Sequence, residues 1–149
     1  MKDPREGTRA THERKISRIL ETPLYVADIE RAARFYEDVL GLRRMSTGNR
    51  LIPMDAGGGT VLLIFLRGAT TEGSTFPGGW IPPHDGKGRS HFAFAIDPDD
   101  VEGWREQLGR SGIEIESEVR WPRGGTSLYI RDPDGHSVEL ATPGVWPVY

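Results

Sequence analysis

The sequence predicts an α+β fold: two tandem βαβββ modules forming a curved mixed sheet, with helices covering one face. Three observations point there. The apolar periodicity runs strand, helix, three strands, and then repeats, over residues 17–67 and 89–142. In both copies an Asp able to cap a helix follows the first strand. Gly and Pro are frequent, 19 and 11 among 149 residues, which suits many turns between short elements. Residues 17–142 are read as a single domain, with residues 68–88 joining its modules, an arm at 1–16 and a tail at 143–149.

Residues 1–16 carry Lys2, Arg5, Arg9, Arg14 and Lys15 against Asp3, Glu6 and Glu13, with few apolar residues, and read as a poorly ordered charged arm. Ile19 to Val26 alternates as a strand, with Leu20, Thr22, Leu24 and Val26 on one face and Glu21, Pro23 and Tyr25 on the other. Asp28 is placed to cap a helix whose Ile29, Ala32, Ala33, Tyr36 and Leu40 recur at helical spacing. Gly41 suits the position just past its end, where a positive φ is often needed. Leu42–Ser46, Arg50–Asp55 and Thr60–Leu66 follow as strands, with Gly57-Gly58-Gly59 as a turn.

Residues 68–88 hold six Gly and three Pro, together with Trp80, Ile81 and His84. A structureless loop of that length is uncommon in a compact domain, so these residues are read either as a packed lid or as a linker covering its own domain. Ser90 to Ile96 alternates again, with Phe92, Phe94 and Ile96 opposite His91, Ala93 and Ala95. Asp97 caps the second helix with Pro98 at its first position. Val101, Trp104 and Leu108 make its apolar stripe, and Gly109 and Gly112 end it. Ile113–Val119, Thr126–Arg131 and Ser137–Ala141 complete the second module, the last two separated by the turn Asp132-Pro133-Asp134-Gly135. The tail through Trp146 and Tyr149 is apolar enough to dock, on a second subunit or on the chain's own core.

Composition removes several classes of function. With no Cys there is no thiolate nucleophile, Cys-ligated zinc or iron–sulfur cluster, and a reducing compartment fits. A net charge of −3 argues against a general nucleic-acid partner. The longest strongly apolar run, Val61 to Leu66, is six residues, against the ~20 that a membrane helix needs. The first residues are charged and lack an apolar signal segment, so a cytoplasmic location is expected. No P-loop, GxGxxG, HExxH or GxSxG is present.

Three residues carry the chemistry. Glu21, His91 and Glu139 each lie on a predicted strand and point away from the apolar residues that pack beneath a helix. If the free face curls into a trough, all three converge. A neutral imidazole nitrogen and carboxylate oxygens are then a divalent-metal set that leaves positions open for substrate. Placing Asp55–Leu63 beside Asp132–Leu140 puts Leu62 opposite Glu139, or Leu63 if the extra Gly is absorbed.

The segments Leu20-Glu21-Thr22-Pro23-Leu24-Tyr25-Val26-Ala27-Asp28, Ser90-His91-Phe92-Ala93-Phe94 and Ser127 through Leu140, with Arg34-Phe35-Tyr36 and Leu40-Gly41-Leu42, resemble the vicinal oxygen chelate superfamily. That group includes glyoxalase I, bleomycin-resistance proteins, fosfomycin-resistance enzymes, methylmalonyl-CoA epimerase and extradiol dioxygenases. The resemblance implies a U-shaped sheet around one divalent ion (Mn, Fe, Zn, Ni or Mg) held by Glu21, His91 and Glu139. It also implies a homodimer acting on a small-molecule substrate. Glyoxalase I has a fourth carboxylate where this chain has Leu62 or Leu63, and extradiol dioxygenases have His where this chain has Glu21.

The expected reaction is of isomerase or lyase type on a partly apolar substrate bound through vicinal oxygens, with Glu139 or Glu21 moving a proton and Tyr129 donating a hydrogen bond. Dioxygenation is the second chemistry. Ala93, Ala95, Ser127, Leu63, Phe65, Trp80 and Arg123 are the expected pocket residues. A metal-free protein that sequesters an apolar drug or metabolite, similar to the bleomycin-resistance proteins, is the alternative from another class.

Overall fold

The structure is a computed structural model and describes residues 14–149. Of the arm read over residues 1–16, residues 1–13 lie outside the described residues. Residues 14–20 run without regular structure and are exposed, Leu20 included, so the first strand starts later than its alternation suggests.

The first module comprises β1 (Glu21–Val26), α1 (Ile29–Asp38), β2 (Arg43–Arg44), β3 (Leu51–Asp55) and β4 (Val61–Leu66). Between the modules lie β5 (Ser74–Phe76) and β6 (Gly79–Ile81). The second module comprises β7 (His91–Ala95), α2 (Val101–Arg110), β8 (Ser117–Arg120), β9 (Thr126–Arg131) and β10 (Ser137–Ala141). Two four-stranded sheets result, ordered β1-β4-β3-β2 and β7-β10-β9-β8. In each, the first strand pairs parallel with the last, and the other pairings are antiparallel. The paired βαβββ reading of an α+β fold therefore holds.

Alternation decides which face of each sheet is covered. Leu24, Val26, Ile52, Met54, Leu62 and Ile64 of the first sheet, and Leu128, Ile130, Val138 and Leu140 of the second, are at most 1% exposed. They join Ala32, Ala33 and Tyr36 of α1 and Leu108 of α2 in one continuous cluster. Both modules thus bury their helix-side faces in a shared core, and the opposite faces remain for other work.

The helix ends follow local chemistry. The Asp28 carboxylate accepts from the Arg31 N–H at 2.9 Å, as its position in the sequence predicts. Gly41, at φ 73°, turns the chain out of α1. The second helix differs from expectation. Pro98–Asp100 forms a 3₁₀ turn capped by Asp97, whose side chain accepts from the Asp99 N–H at 2.9 Å, and α2 begins only at Val101. Tight 3₁₀ turns often precede α-helices, and a proline at the start of one forfeits no bond.

Three other expectations are corrected. The strand read over Leu42–Ser46 shrinks to β2, where Arg44 is drawn onto α1 by Glu37 at 2.7 Å and Glu30 at 2.8 Å. The strand read over Ile113–Val119 starts only at Ser117, because Ile113 and Ile115 turn in against the core. Residues 68–88 are not structureless, since β5 and β6 pair as a hairpin. Trp80 of that hairpin lies so close over Gly73 that a Cβ there would fall 2.1 Å from the indole nitrogen.

The turn before β10 fastens the modules together. Asp132, 5% exposed, accepts from the Tyr36 hydroxyl at 2.7 Å with one oxygen. Its other oxygen accepts from the N–H groups of Asp134 at 3.0 Å and His136 at 2.8 Å. The Asp134 carboxylate accepts from the Ala27 N–H at 2.8 Å. Buried His136 accepts from the Ser90 N–H at Nδ1, 2.9 Å, so its hydrogen sits on Nε2, which reaches the Tyr25 carbonyl at 3.1 Å. The tail also closes on its own chain, with the Tyr149 hydroxyl 3.3 Å from the carbonyls of Ile96 and Ala141.

Burial first, and then the charge of Asp132, holds the Tyr36 hydroxyl well above the usual tyrosine range. The folded chain therefore keeps this proton when the unfolded chain gives it up near pH ~10, so stability present below that pH is lost above it. Tyr36→Phe leaves Asp132 short of a donor and is expected to lower unfolding free energy by about 1–3 kcal/mol at neutral pH. It should also flatten the alkaline fall. Urea titrations at neutral and alkaline pH check both, and a variant indistinguishable from the parent contradicts this account.

Candidate functional site

On the free face of the second sheet, His91 opens β7 and Glu139 lies mid-β10. Parallel pairing sets Ser137 beside His91 and Glu139 beside Ala93, which brings the imidazole Nε2 within 3.3 Å of a Glu139 carboxylate oxygen. The other ring nitrogen, Nδ1, lies 3.1 Å from the Ser137 carbonyl. A carbonyl only accepts, so Nδ1 carries the hydrogen and Nε2 directs a lone pair at the carboxylate. Two lone pairs at that distance repel. A proton or a metal ion between them relieves that repulsion.

The carboxylate is aimed rather than loosely solvated. Glu139 is 6% exposed, and its other oxygen accepts from the hydroxyl of fully buried Ser127. Ser127 in turn accepts from the Trp121 indole N–H at 2.8 Å. Tyr129, paired with Glu139 across β9 and β10, stacks beside the His91 ring with centroids 6.0 Å apart. Burial, followed by the charge of Glu139, raises the Tyr129 hydroxyl above the usual tyrosine value, so it stays a hydrogen-bond donor. Ser127 was expected to line the pocket, but it sits behind Glu139 and holds it. Trp121 is a site residue that sequence reasoning missed. The available signal was that a part-buried indole N–H needs an acceptor.

The free face of the first sheet carries a cavity of about 430 Å³. Glu21 stands at one end of β1, and Leu51, Leu63, Phe65, Phe76 and Ile81 supply apolar walls, with Arg50 and His84 adding polar groups. Leu63 and Phe65 line this cavity. Trp80 is 60% exposed and does not border this cavity; its neighbour Ile81 does. Arg123 is exposed in the turn between β8 and β9. Ala93 and Ala95 are exposed along β7.

The ladders also settle the register between modules. Glu21 pairs with Val61 and His91 with Ser137, so two residues further on Leu63 is the counterpart of Glu139. Leu62 is buried in the core instead. The extra glycine is absorbed in the Gly57–Gly59 turn, and the fourth carboxylate position is apolar. Of the three expected ligands, the chain brings His91 and Glu139 together. Glu21 borders the other module's cavity, and among the described residues no group of three His, Asp or Glu side chains is arranged to hold a metal ion.

Residues 15–140 match the family model described as Glyoxalase/Bleomycin resistance protein/Dioxygenase superfamily. The chain is 27% identical over 124 residues to a lactoylglutathione lyase of Haemophilus influenzae, covering 82% of this chain and 90% of that protein. It is 30% identical over 118 residues to a metallothiol transferase FosB of Staphylococcus saprophyticus, covering 78% and 71%. Its fold is similar to the crystal structure of a lactoylglutathione lyase from Agrobacterium tumefaciens, with a TM-score of 0.81, 34% identity, and coverage of 90% of this chain and 99% of that one. With most of its length matched and the paired sheets in place, the chain belongs to the Glyoxalase/Bleomycin resistance protein/Dioxygenase superfamily.

Proposed function

We propose that the protein is a divalent-metal-dependent enzyme acting on a small, partly apolar molecule chelated through vicinal oxygens. The observation that carries this reading is the lone pair of His91 Nε2 facing the Glu139 carboxylate at 3.3 Å. The Ser137 carbonyl fixes the tautomer, and the Trp121–Ser127 pair fixes the carboxylate, as outer partners do for metal ligands. Nitrogen and oxygen donors of this kind fit a divalent ion. The third ligand is Glu21. Since one chain holds it apart from the other two, Glu21 comes from a second copy related by a two-fold.

When bound, the ion supplies Lewis acidity that stabilises an enolate or alkoxide. The chain's own groups do the rest. Glu139 or Glu21 takes up and returns a proton at the carbon next to the chelated oxygen. The Tyr129 hydroxyl donates a hydrogen bond to a substrate oxygen. A lyase or isomerase reaction, in keeping with the lactoylglutathione lyases the chain resembles, suits this donor set. One imidazole and two carboxylates form a harder, more anionic set than two imidazoles and one carboxylate, which disfavours dioxygenation.

A second reading is supported by the first module's cavity, which is largely apolar and is bordered by neither His91 nor Glu139. In that reading the protein sequesters an apolar ligand without metal. Titration of the ligand with and without a chelator separates the two: indifference to chelator favours sequestration, and loss of binding removes it.

For the metal reading, elemental analysis of reconstituted protein should find about one divalent ion per chain. His91→Ala and Glu139→Gln should abolish binding. Ser127→Ala, which frees the carboxylate without removing it, should weaken affinity by about 10–100-fold. Protein that takes up no stoichiometric metal, or variants that bind as the parent does, would overturn the proposal.

A further inference from the structure

The cavity on the first sheet has two chemically different ends. Glu21 stands at the start of β1 and Tyr25 four residues later. At roughly 3.3 Å per residue, those ends are about 13 Å apart. Tyr25 pairs with Phe65, and Phe65 with Leu51, so Arg50, just before Leu51, belongs to the Tyr25 end. The segment between the modules brings His84 to the same end. Its ring packs edge-on against Phe65, with centroids 4.7 Å apart, and its Nδ1 lies 2.6 Å from the Tyr25 hydroxyl.

This histidine is held in place. Its N–H donates to the Thr70 carbonyl at 2.9 Å, and the Thr70 hydroxyl donates back to its carbonyl. Gly86 lies flat on Tyr25, where a Cβ would fall 2.3 Å from the ring. Such a fit leaves no room for a side chain at that position.

The Tyr25 hydroxyl and His84 Nδ1 share one hydrogen bond. With the hydroxyl donating, the ring hydrogen of His84 sits on Nε2, which has no partner among the described residues, and the residue lines the cavity. Arg50 donates to the Ala69 carbonyl and forms no ion pair among the described residues. One end of a largely apolar cavity thus presents the His84 ring nitrogen and the Arg50 guanidinium, while the charge of Asp85 acts on the Tyr25 hydroxyl beside them.

We infer that this end is a subsite for an acidic group, a carboxylate or similar oxyanion, on an elongated small molecule. Its apolar body lies on Leu63 and Phe65, beneath Phe76 and Ile81 of the hairpin. The molecule's other end points toward Glu21. Identifying that other end as the reacting end rests on the enzyme reading above, whereas the subsite rests on the cavity alone. The cavity's volume, about 430 Å³, lies within the ~300–1,000 Å³ of small-ligand sites.

The test is calorimetric titration of chelator-treated full-length protein with a matched pair, phenylbutyrate and phenylbutanol. The acid is expected to bind at least about tenfold tighter than the alcohol, the size of effect expected of charged hydrogen bonds. Arg50→Gln, at an exposed position, should remove most of that preference. Tyr25→Phe, which keeps the ring stack, should reduce it by a smaller factor by removing the hydrogen bond that orients the His84 ring. Equal affinity for the two probes overturns the proposal, as does no binding of either. So does a preference that survives Arg50→Gln combined with His84→Gln. Because the protein is metal-free, failure of the metal reading leaves this outcome unchanged, and failure here leaves the metal titration unchanged.

Discussion

The turn at Asp132 to His136 is the constraint on which the rest of this molecule depends. Its buried carboxylate and imidazole accept and donate across the boundary between modules, to Tyr36 and Tyr25. Tyr36 is fully buried, so its bond to Asp132 is costly to lose. With the turn in place, both sheets close their helix-side faces over one core. The free faces are then committed to solvent, ligand or another copy of the chain. The same packing puts His91 and Glu139 on one free face and Glu21 on the other.

On the second module's face, the chemistry is set by what the backbone does to a side chain. The Ser137 carbonyl decides which nitrogen of His91 is bare, and parallel pairing decides what that nitrogen meets. The carboxylate it meets is steered by an indole and a hydroxyl rather than by solvent. On the first module's face, the counterpart of Glu139 is Leu63, so the repeat keeps its geometry while a carboxylate in one module answers to an apolar wall residue in the other. On the proposed reading, one module holds a cation and the other an apolar body. This division of labour suits the chelated, partly apolar substrate proposed above.

Much of this was legible in the letters. Strict alternation at Leu24 and Val26 against Glu21 and Tyr25, and at Phe92 and Phe94 against His91, identifies the free faces, because the period of a strand leaves no alternative. The capping role of Asp28 and the turn at Gly41 follow from local chemistry alone. What was not legible depends on contacts distant in sequence. Whether the Gly57–Gly59 turn or the strand absorbs an extra residue is decided by the ladder, which is why Leu62 and Leu63 stayed undecided. Asp132 reads as an ordinary turn residue and nothing singles out His136, since nothing local reveals that Tyr36 and Tyr25 await them. Ser127 alternates like a pocket residue but is claimed by Trp121, and Trp80 is turned outward by a hairpin too short to show a period.

The central claim is that a complete ligand set needs two copies of this chain, with Glu21 from one and His91 and Glu139 from the other. Co-expression of Glu21→Ala and His91→Ala chains tests it most directly. Either variant alone has a broken set in every site. A mixed pair has one intact set and one doubly broken one. The account predicts that purified mixed pairs recover divalent-ion binding at about one site per pair, although each parent variant binds none. If the mixed pairs bind no more metal than their parents while the unmodified protein binds fully, the ligands meet within one chain and the account is contradicted.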